Sequence, residues 1–367
     1  MTKTAPYIIA GPCAAETKEQ VLATATQLAE AGIDVFRAGV WKPRTEPGAF
    51  EGVGEQALGW LQEVKAQTGL PVITEVATPE HVRLVFKAGL DGFWIGARTT
   101  TNPFLVQQIA DQLAIELKAM SASDSSDPNH PSTSASAETN PSANRQTPLV
   151  LVKNPVSPDV RLWKGAIERL RQAGATRLMA VHRGFQTGQP TPYRNAPVWS
   201  IPFALKMQLP SVPLILDPSH MAGRTDLIAE LSDSAMKLGY EGLMIEAHCR
   251  PDTAKSDKSQ QITPFALKNL VHNLNHRAEG EDAGLSGLRR QMEEIDDTLF
   301  TLILQRMQLS RQIGDYKRLH NMPVLQEKRY AEILQKRLDW ALKNNLDPDA
   351  VRRIMDAIHE ESCRWQL

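Results

Sequence analysis

The feature that most constrains this chain is a rhythm. Eight short runs rich in β-branched and aromatic residues recur in residues 1–250, at 7–14, 35–41, 71–78, 92–98, 149–155, 177–184, 213–220 and 242–248. Amphipathic stretches such as VLATATQLAEAG and PEHVRLVFKAG lie between them. Several runs are apolar almost throughout, as in parallel strands covered on both faces. Gly32 and Gly89 stand where helices would stop. Strand and helix alternating eight times predict a (β/α)8 barrel over residues 1–277. A doubly wound open sheet is the competing arrangement of the same units.

The rhythm is interrupted once. Residues 120–148 are dominated by Ser, Pro, Asn and Ala and hold little to bury, so they are expected to be a disordered insertion. The segment falls between a helix and a strand, on the barrel face opposite the one where active sites form. After a last barrel helix at 265–278, a small and charged linker (278–284) leads to a second unit, 285–367, with no strand signal. There Leu288, Met292, Ile295, Leu299, Leu302, Met307, Ile313 and Tyr316 recur at helical spacing. Pro323 breaks the pattern, a second helix spans about 327–344, and a third starts near Pro348. The expectation is a small all-α three-helix domain.

Composition narrows the functional classes. A net charge of −1 gives no global field for nucleic acid or an anionic membrane. No apolar stretch approaches the ~20 residues of a membrane span. The opening MTKTAPYIIAGPC is broken by Gly11 and Pro12, too early for a signal peptide. Three cysteines, Cys13, Cys249 and Cys363, do not make a disulfide framework, which points to a reducing compartment, the cytoplasm.

The polar residues gather at the C-terminal ends of the predicted strands, which a barrel aims into one mouth. Arg37, Lys42, Arg44, Arg98, Lys153 and Arg183 would repel one another there unless they meet dianionic ligands, since guanidinium forks suit phosphate and carboxylate. Taken singly, each is equally a solvated surface charge. Cys13, His220 and Glu246, with Asp257 as the best fourth candidate, offer donors for a borderline divalent ion such as Mn2+, Fe2+ or Zn2+. A buried, inert thiol is the plainer role for Cys13. In the helical unit Arg306 and Lys317 are eleven residues apart, nearly on one face and about 16 Å apart along a helix. Arg289 lies 28 residues before Lys317, about 42 Å away, so it can serve the same kind of site only in a partner subunit. An exposed, charge-laced helix accounts for the same residues without a site.

The runs AGPCAAE (10–16), WKPRTEPGAFEG (41–52), IGAR (95–98), HRG (182–184), DPSH (217–220) and GLMIEAH (242–248) closely resemble 3-deoxy-D-arabino-heptulosonate 7-phosphate (DAHP) synthase. The resemblance implies that Cys13, His220, Glu246 and Asp257 hold a metal and that Arg37, Arg98, Lys153 and Arg183 bind phosphoenolpyruvate. It assigns Lys42, Arg44 and Thr45 to erythrose 4-phosphate, with Lys153 as candidate proton shuttle. The related octulosonate 8-phosphate synthases are the alternative, and KPRT (42–45) counts against them. Residues 285–317 resemble the first helix of all-helical chorismate mutases. That likeness implies a homodimer in which Arg289, Arg306, Lys317, Arg329, Ser362 and Gln366 bind chorismate and release prephenate. Lys317 and Gln366 would face the ether oxygen. Tyr330 stands where that family usually has Glu, and Gln326 where Asp is common. With the first strand at residue 7, no regulatory unit is expected before the barrel, so feedback control is expected to act through the helical unit, which is alternatively a regulatory ligand-binding module only.

Overall fold

The computed structural model describes residues 5–42, 48, 50–124, 147–188, 190–275 and 285–367, in two compact units, Met1–Ala278 and Glu279–Leu367. The first unit opens with β1 (Tyr7–Gly11), α1 (Lys18–Glu30), β2 (Val35–Arg37), α2 (Gln56–Thr68), β3 (Val72–Val76) and α3 (Pro79–Lys87). It continues with β4 (Gly92–Ile95), α4 (Ala97–Thr100), α5 (Pro103–Asp124), β5 (Leu149–Lys153), α6 (Val160–Gln172) and β6 (Arg177–His182). It ends with α7 (Ser200–Gln208), β7 (Leu214–Leu216), α8 (Pro218–Ala222), α9 (Ile228–Lys237), β8 (Gly242–Glu246) and α10 (Pro264–Asn275).

Among the described residues the eight strands close in sequence order, β1 pairing with β8, and every pairing is parallel. An open sheet is therefore ruled out. Helices α1, α3 and α6 start on side-chain caps: Thr17 accepts from Gln20 N, Thr78 from His81 N, and Asp159 from Arg161 N and Leu162 N. Gly32, Gly69 and Gly89 take positive φ where α1, α2 and α3 end. The strands are shorter than the sequence runs, so Cys13, Arg98, Arg183 and His220 lie just past strand ends, Arg98 on α4 and His220 on α8. Residues 120–124, expected in the insertion, are the last turn of α5, and 147–148 lead into β5. The rest of that segment and the linker 278–284 lie outside the described residues.

Two apolar layers build the barrel. Ile9, Val35, Ile73, Trp94, Leu151, Val181, Ile215 and Met244 fill its interior, and a larger cluster lies between strands and helices. Period-2 alternation assigns each strand residue to one or the other.

The second unit consists of α11 (Leu285–Leu319), α12 (Glu327–Lys343) and α13 (Pro348–Gln366). At 35 residues α11 is about 52 Å long, against about 28 Å for the 19 residues of α13. Met307, Ser310 and Lys317 of α11 are buried. Of the apolar stripe read from the sequence, Met307 alone among the described side chains is covered; Met292, Ile295, Leu299, Leu302, Ile313 and Tyr316 are exposed. No helix among the described residues is long and apolar enough to cross a membrane.

His182, at the end of β6, is fully buried outside the barrel wall beside Trp163, Phe185, Trp199 and Tyr240, with Nδ1 2.8 Å from the Tyr240 hydroxyl. Burial pushes its pKa down to about 3. An unfolded histidine titrates near ~6.5, so between these values the unfolded chain alone takes the proton. The barrel should therefore lose stability as pH falls from about 6.5 towards 3, by at most ~1.4 kcal/mol per pH unit from this residue. His182→Phe should flatten the dependence of the urea midpoint on pH between about 6.5 and 4, and equal slopes in both proteins would exclude this role.

Candidate functional site

One more inward step along each strand changes the chemistry. Two residues beyond the apolar interior layer stand Gly11, Arg37, Glu75, Gly96, Lys153, Arg183, Asp217 and Glu246. The same alternation that fills the interior thus lays a polar floor at the barrel's C-terminal mouth. Gly11 is required by close approach, since a Cβ there would lie 1.9 Å from the Arg37 carbonyl oxygen, whereas a Cβ on Gly96 would meet only the mobile carboxylate end of Glu75.

The floor is not the mass of unpaired cations the sequence suggested. Glu75, unremarked in the sequence, and Asp217, read there only as the start of DPSH, balance it. Arg37, with no exposed surface, stacks over Trp94 at 4.5 Å, donates to Cys13 O at 3.2 Å and lies 3.4 Å from Glu246 Oε1. Lys42 Nζ lies 3.5 Å from Glu75 Oε2. Burial pulls its pKa down, but Cys13 and Glu75 outweigh this and hold it above the usual lysine value. Lys153 Nζ donates to Asp217 Oδ2 at 2.8 Å. Burial opposes the charge on Asp217, yet His220 and Lys153 keep it well below the usual carboxylate range. Arg183 donates to Asn195 Oδ1 at 2.9 Å, and its own backbone N–H donates to Asn154 Oδ1 at 2.7 Å. Burial lowers its pKa to about 10, with Arg194 and Arg98 adding to the effect. Arg98 is near enough to Arg183 to be felt electrostatically but is exposed on α4. Arg44 and Thr45 lie outside the described residues.

Three of the four expected metal donors converge, and the fourth, His220, stands at their edge. Ligand atoms of Cys13, Glu246 and Asp257 all lie within 4.8 Å of one another, and His220 Nε2 is 3.6 Å from Glu246 Oε1. Glu246 donates its backbone N–H to Ser219 Oγ at 2.9 Å and accepts from Gln260 Nε2 at 2.8 Å through Oε2, while its buried Oε1 accepts no hydrogen bond from the described residues. Burial would raise its pKa, but His220 and Arg37 keep it low. Asp257 takes the left-handed conformation (φ 47°), accepts from Cys13 Sγ at 3.2 Å through Oδ2, and from Arg194 at 2.8 Å through Oδ1. Burial, then the Glu246 and Asp257 carboxylates, push the Cys13 thiol up to about 12. Arg194 also grips Gln260 Oε1 at 2.8 Å, and Gln261 Oε1 accepts from Cys13 N at 3.0 Å. Sequence reading missed Arg194, Gln260 and Gln261; they sit in loops, where no periodicity marks them. Glu75 and Asp217 did carry a signal, the two-residue step from Ile73 and Ile215.

In the helical unit α13 gathers the polar residues of α11. Arg306 donates to Ser362 Oγ, and Lys317 Nζ to Gln366 Oε1 at 2.8 Å and Val324 O at 2.7 Å. At Gly314 the helices nearly touch, since a Cβ there would lie 2.6 Å from Gln366 Cα and O. Arg329 is not gathered; it is exposed and pairs with Glu332 Oε2 at 3.0 Å. The Arg289 side chain lies outside what is described. Tyr330 stacks on His359 at 3.8 Å and donates to Asp356 Oδ1.

The model of the DAHP synthetase I family matches residues 3–124 and 132–279, and that of chorismate mutase type II matches 288–367. A phospho-2-dehydro-3-deoxyheptonate aldolase of Thermotoga maritima is 29% identical over 272 residues, 74% of this chain and 70% of that one. A crystal structure under the same name from that organism aligns with a TM-score of 0.59 at 27% identity, covering 74% of this chain and 69% of its own. A 2-dehydro-3-deoxyphosphooctonate aldolase of Nitratidesulfovibrio vulgaris is 26% identical, covering 73% of this chain and 90% of its own. Over 82 residues, 22% of this chain and 64% of its own, a 4-amino-4-deoxychorismate mutase of Streptomyces pristinaespiralis is 32% identical.

Proposed function

The chain belongs to the DAHP synthetase I family and ends in a chorismate mutase type II unit, and from that premise we propose how its residues divide two reactions. The barrel condenses phosphoenolpyruvate with erythrose 4-phosphate to DAHP and inorganic phosphate. The helical unit rearranges chorismate to prephenate. The observation that carries the site assignment is the polar floor, where three strand-end cations and a thiol–carboxylate cluster share one mouth.

The donor set fits a divalent ion. Glu246 Oε1 is buried without a hydrogen bond from the described residues, and Cys13 Sγ, Asp257 and His220 stand around it. Thiolate, imidazole and carboxylate together suit Mn2+, Fe2+ or Zn2+. Such an ion supplies Lewis-acid polarisation of the aldehyde oxygen and stabilises Cys13 as thiolate. The chain's own residues do the rest. Arg37, Lys153 and Arg183, with Arg98 at the rim, hold the phosphate and carboxylate of phosphoenolpyruvate. Lys42 holds erythrose 4-phosphate, together with Arg44 and Thr45. Positioning two anions that repel in water is the largest service the mouth performs. Carbon 3 of phosphoenolpyruvate attacks the aldehyde carbon, water adds at carbon 2, and phosphate leaves as the hemiketal collapses. Lys153, hydrogen-bonded to Asp217, is the candidate proton shuttle.

In the helical unit Lys317 and Gln366 face the ether oxygen, where negative charge grows, and Arg306 and Arg329 with Ser362 hold the carboxylates. We read the exposed stripe on α11 as the dimer seam. Met292, Ile295, Leu299, Leu302, Leu309, Ile313 and Tyr316 follow one another at alternating three- and four-residue steps, with Arg306 in line. A second copy of α11 covers it and brings Arg289 to the partner's site. Feedback inhibition of the barrel by prephenate, acting through the helical unit, completes the reading.

The octulosonate relative makes the sugar the deciding test. With Mn2+ restored after chelation, phosphoenolpyruvate should be consumed with erythrose 4-phosphate and not with arabinose 5-phosphate; the reverse preference would overturn the substrate assignment. Leu299→Glu, placing a charge in the seam, should convert dimer to monomer by light scattering and cut the mutase rate about tenfold or more. A dimer of unchanged mass would refute the seam. Saturating prephenate should slow the synthase, and a constant rate would remove the feedback proposal.

A further inference from the structure

Two nitrogens meet at a single carboxylate oxygen in the mouth. Asp217 has no exposed surface, and its Oδ1 caps α8 by accepting the backbone N–H of His220 at 2.9 Å. Its Oδ2 lies 2.8 Å from Lys153 Nζ and 2.8 Å from His220 Nδ1. The two contacts are unequal. Lys153 makes a formed hydrogen bond, whereas the Nδ1 contact is close but misaligned, so that among the described residues buried Nδ1 has no hydrogen-bond partner of good geometry. On the far side of the ring, Nε2 faces Glu246 Oε1 at 3.6 Å, the edge of the cysteine–carboxylate cluster.

We infer that Asp217 is a positioning residue that couples substrate binding to metal binding, by handing one carboxylate oxygen from Lys153 to His220. The inference rests on the metal reading of this cluster given above. An anion that engages Lys153 Nζ loosens its hold on Oδ2. The oxygen then aligns with Nδ1–H, which fixes the ring, leaves Nε2 as the lone-pair nitrogen and makes it the better ligand. Phosphoenolpyruvate therefore tightens the ion and, by linkage, the ion tightens phosphoenolpyruvate to the same degree. Asp217 need touch neither. The cap at Oδ1 holds the carboxylate in place throughout, since α8 begins on it.

The test uses full-length chain stripped of metal by a chelator, with Mn2+ binding followed by the paramagnetic signal of the free ion. In the unaltered chain, phosphoenolpyruvate should lower the Mn2+ dissociation constant about fivefold or more. Asp217→Asn should weaken Mn2+ binding about tenfold or more and abolish the effect of phosphoenolpyruvate. Lys153→Met leaves the oxygen to His220 alone, so Mn2+ should bind more tightly than in the unaltered chain and respond no further to phosphoenolpyruvate. Should Asp217→Asn fail to fold by circular dichroism, Lys153→Met decides alone, and unchanged or weaker Mn2+ binding in it overturns the coupling. An Asp217→Asn chain that keeps the original affinity, or keeps the response to phosphoenolpyruvate, also overturns it. If the unaltered chain binds no Mn2+, the metal reading falls and takes this inference with it; if it binds Mn2+ and the variants behave as it does, the metal reading stands and the inference alone fails.

Discussion

Charge buried inside a closed barrel has to be paired, and the mouth of this one is organised around that requirement. Inward-facing side chains at the strand ends have little access to water, so an unpartnered ion there would be costly by several kcal/mol. The chain meets the requirement with three short pairs, Arg37 with Glu246, Lys42 with Glu75, and Lys153 with Asp217. Pairing fixes where each cation points. On the function proposed above, an incoming anion meets no bare charge but exchanges with an acid already in place, which favours a doubly charged ligand able to displace a carboxylate.

The fold was legible because the barrel needs a strict alternation, and the apolar runs display it. The closure in sequence order, the helix stops at Gly32 and Gly89 and the three C-terminal helices all follow from local pattern. Strand ends were read too long because polar residues such as Arg98 and His220 continue the composition of a strand while the backbone has already turned into α4 and α8. The donors Cys13, His220, Glu246 and Asp257 were recognisable by type, and the structure draws them together. Their partners were less visible. Asp217 was read as part of a motif and Glu75 not at all, although both stand on the inward register. Arg194, Gln260 and Gln261 act from irregular segments, where spacing carries no information about neighbours.

The helical unit shows the opposite balance. Its secondary structure follows directly from periodicity, but a stripe of apolar residues says nothing by itself about what covers it. Where α13 covers the C-terminal half of α11 the buried residues are largely polar, Ser310 and Lys317 beside Met307 with half-buried Arg306 bonded to Ser362, while the apolar side chains Met292, Ile295, Leu299 and Leu302 of the earlier turns are exposed. Arg329, exposed and paired within its own turn, marks the part of the site that α11 and α13 leave undefined.

The contact at Gly314 bears on how such a unit can change over generations. Because the two backbones meet there, the spacing of Lys317 and Gln366 is set by the absence of a side chain rather than by either residue's own reach. Any larger residue would pry α11 from α13 and separate the pair together with the packing. Position 314 is therefore closed to neutral drift, because a substitution there would disturb the Lys317–Gln366 pair and the helix packing at once.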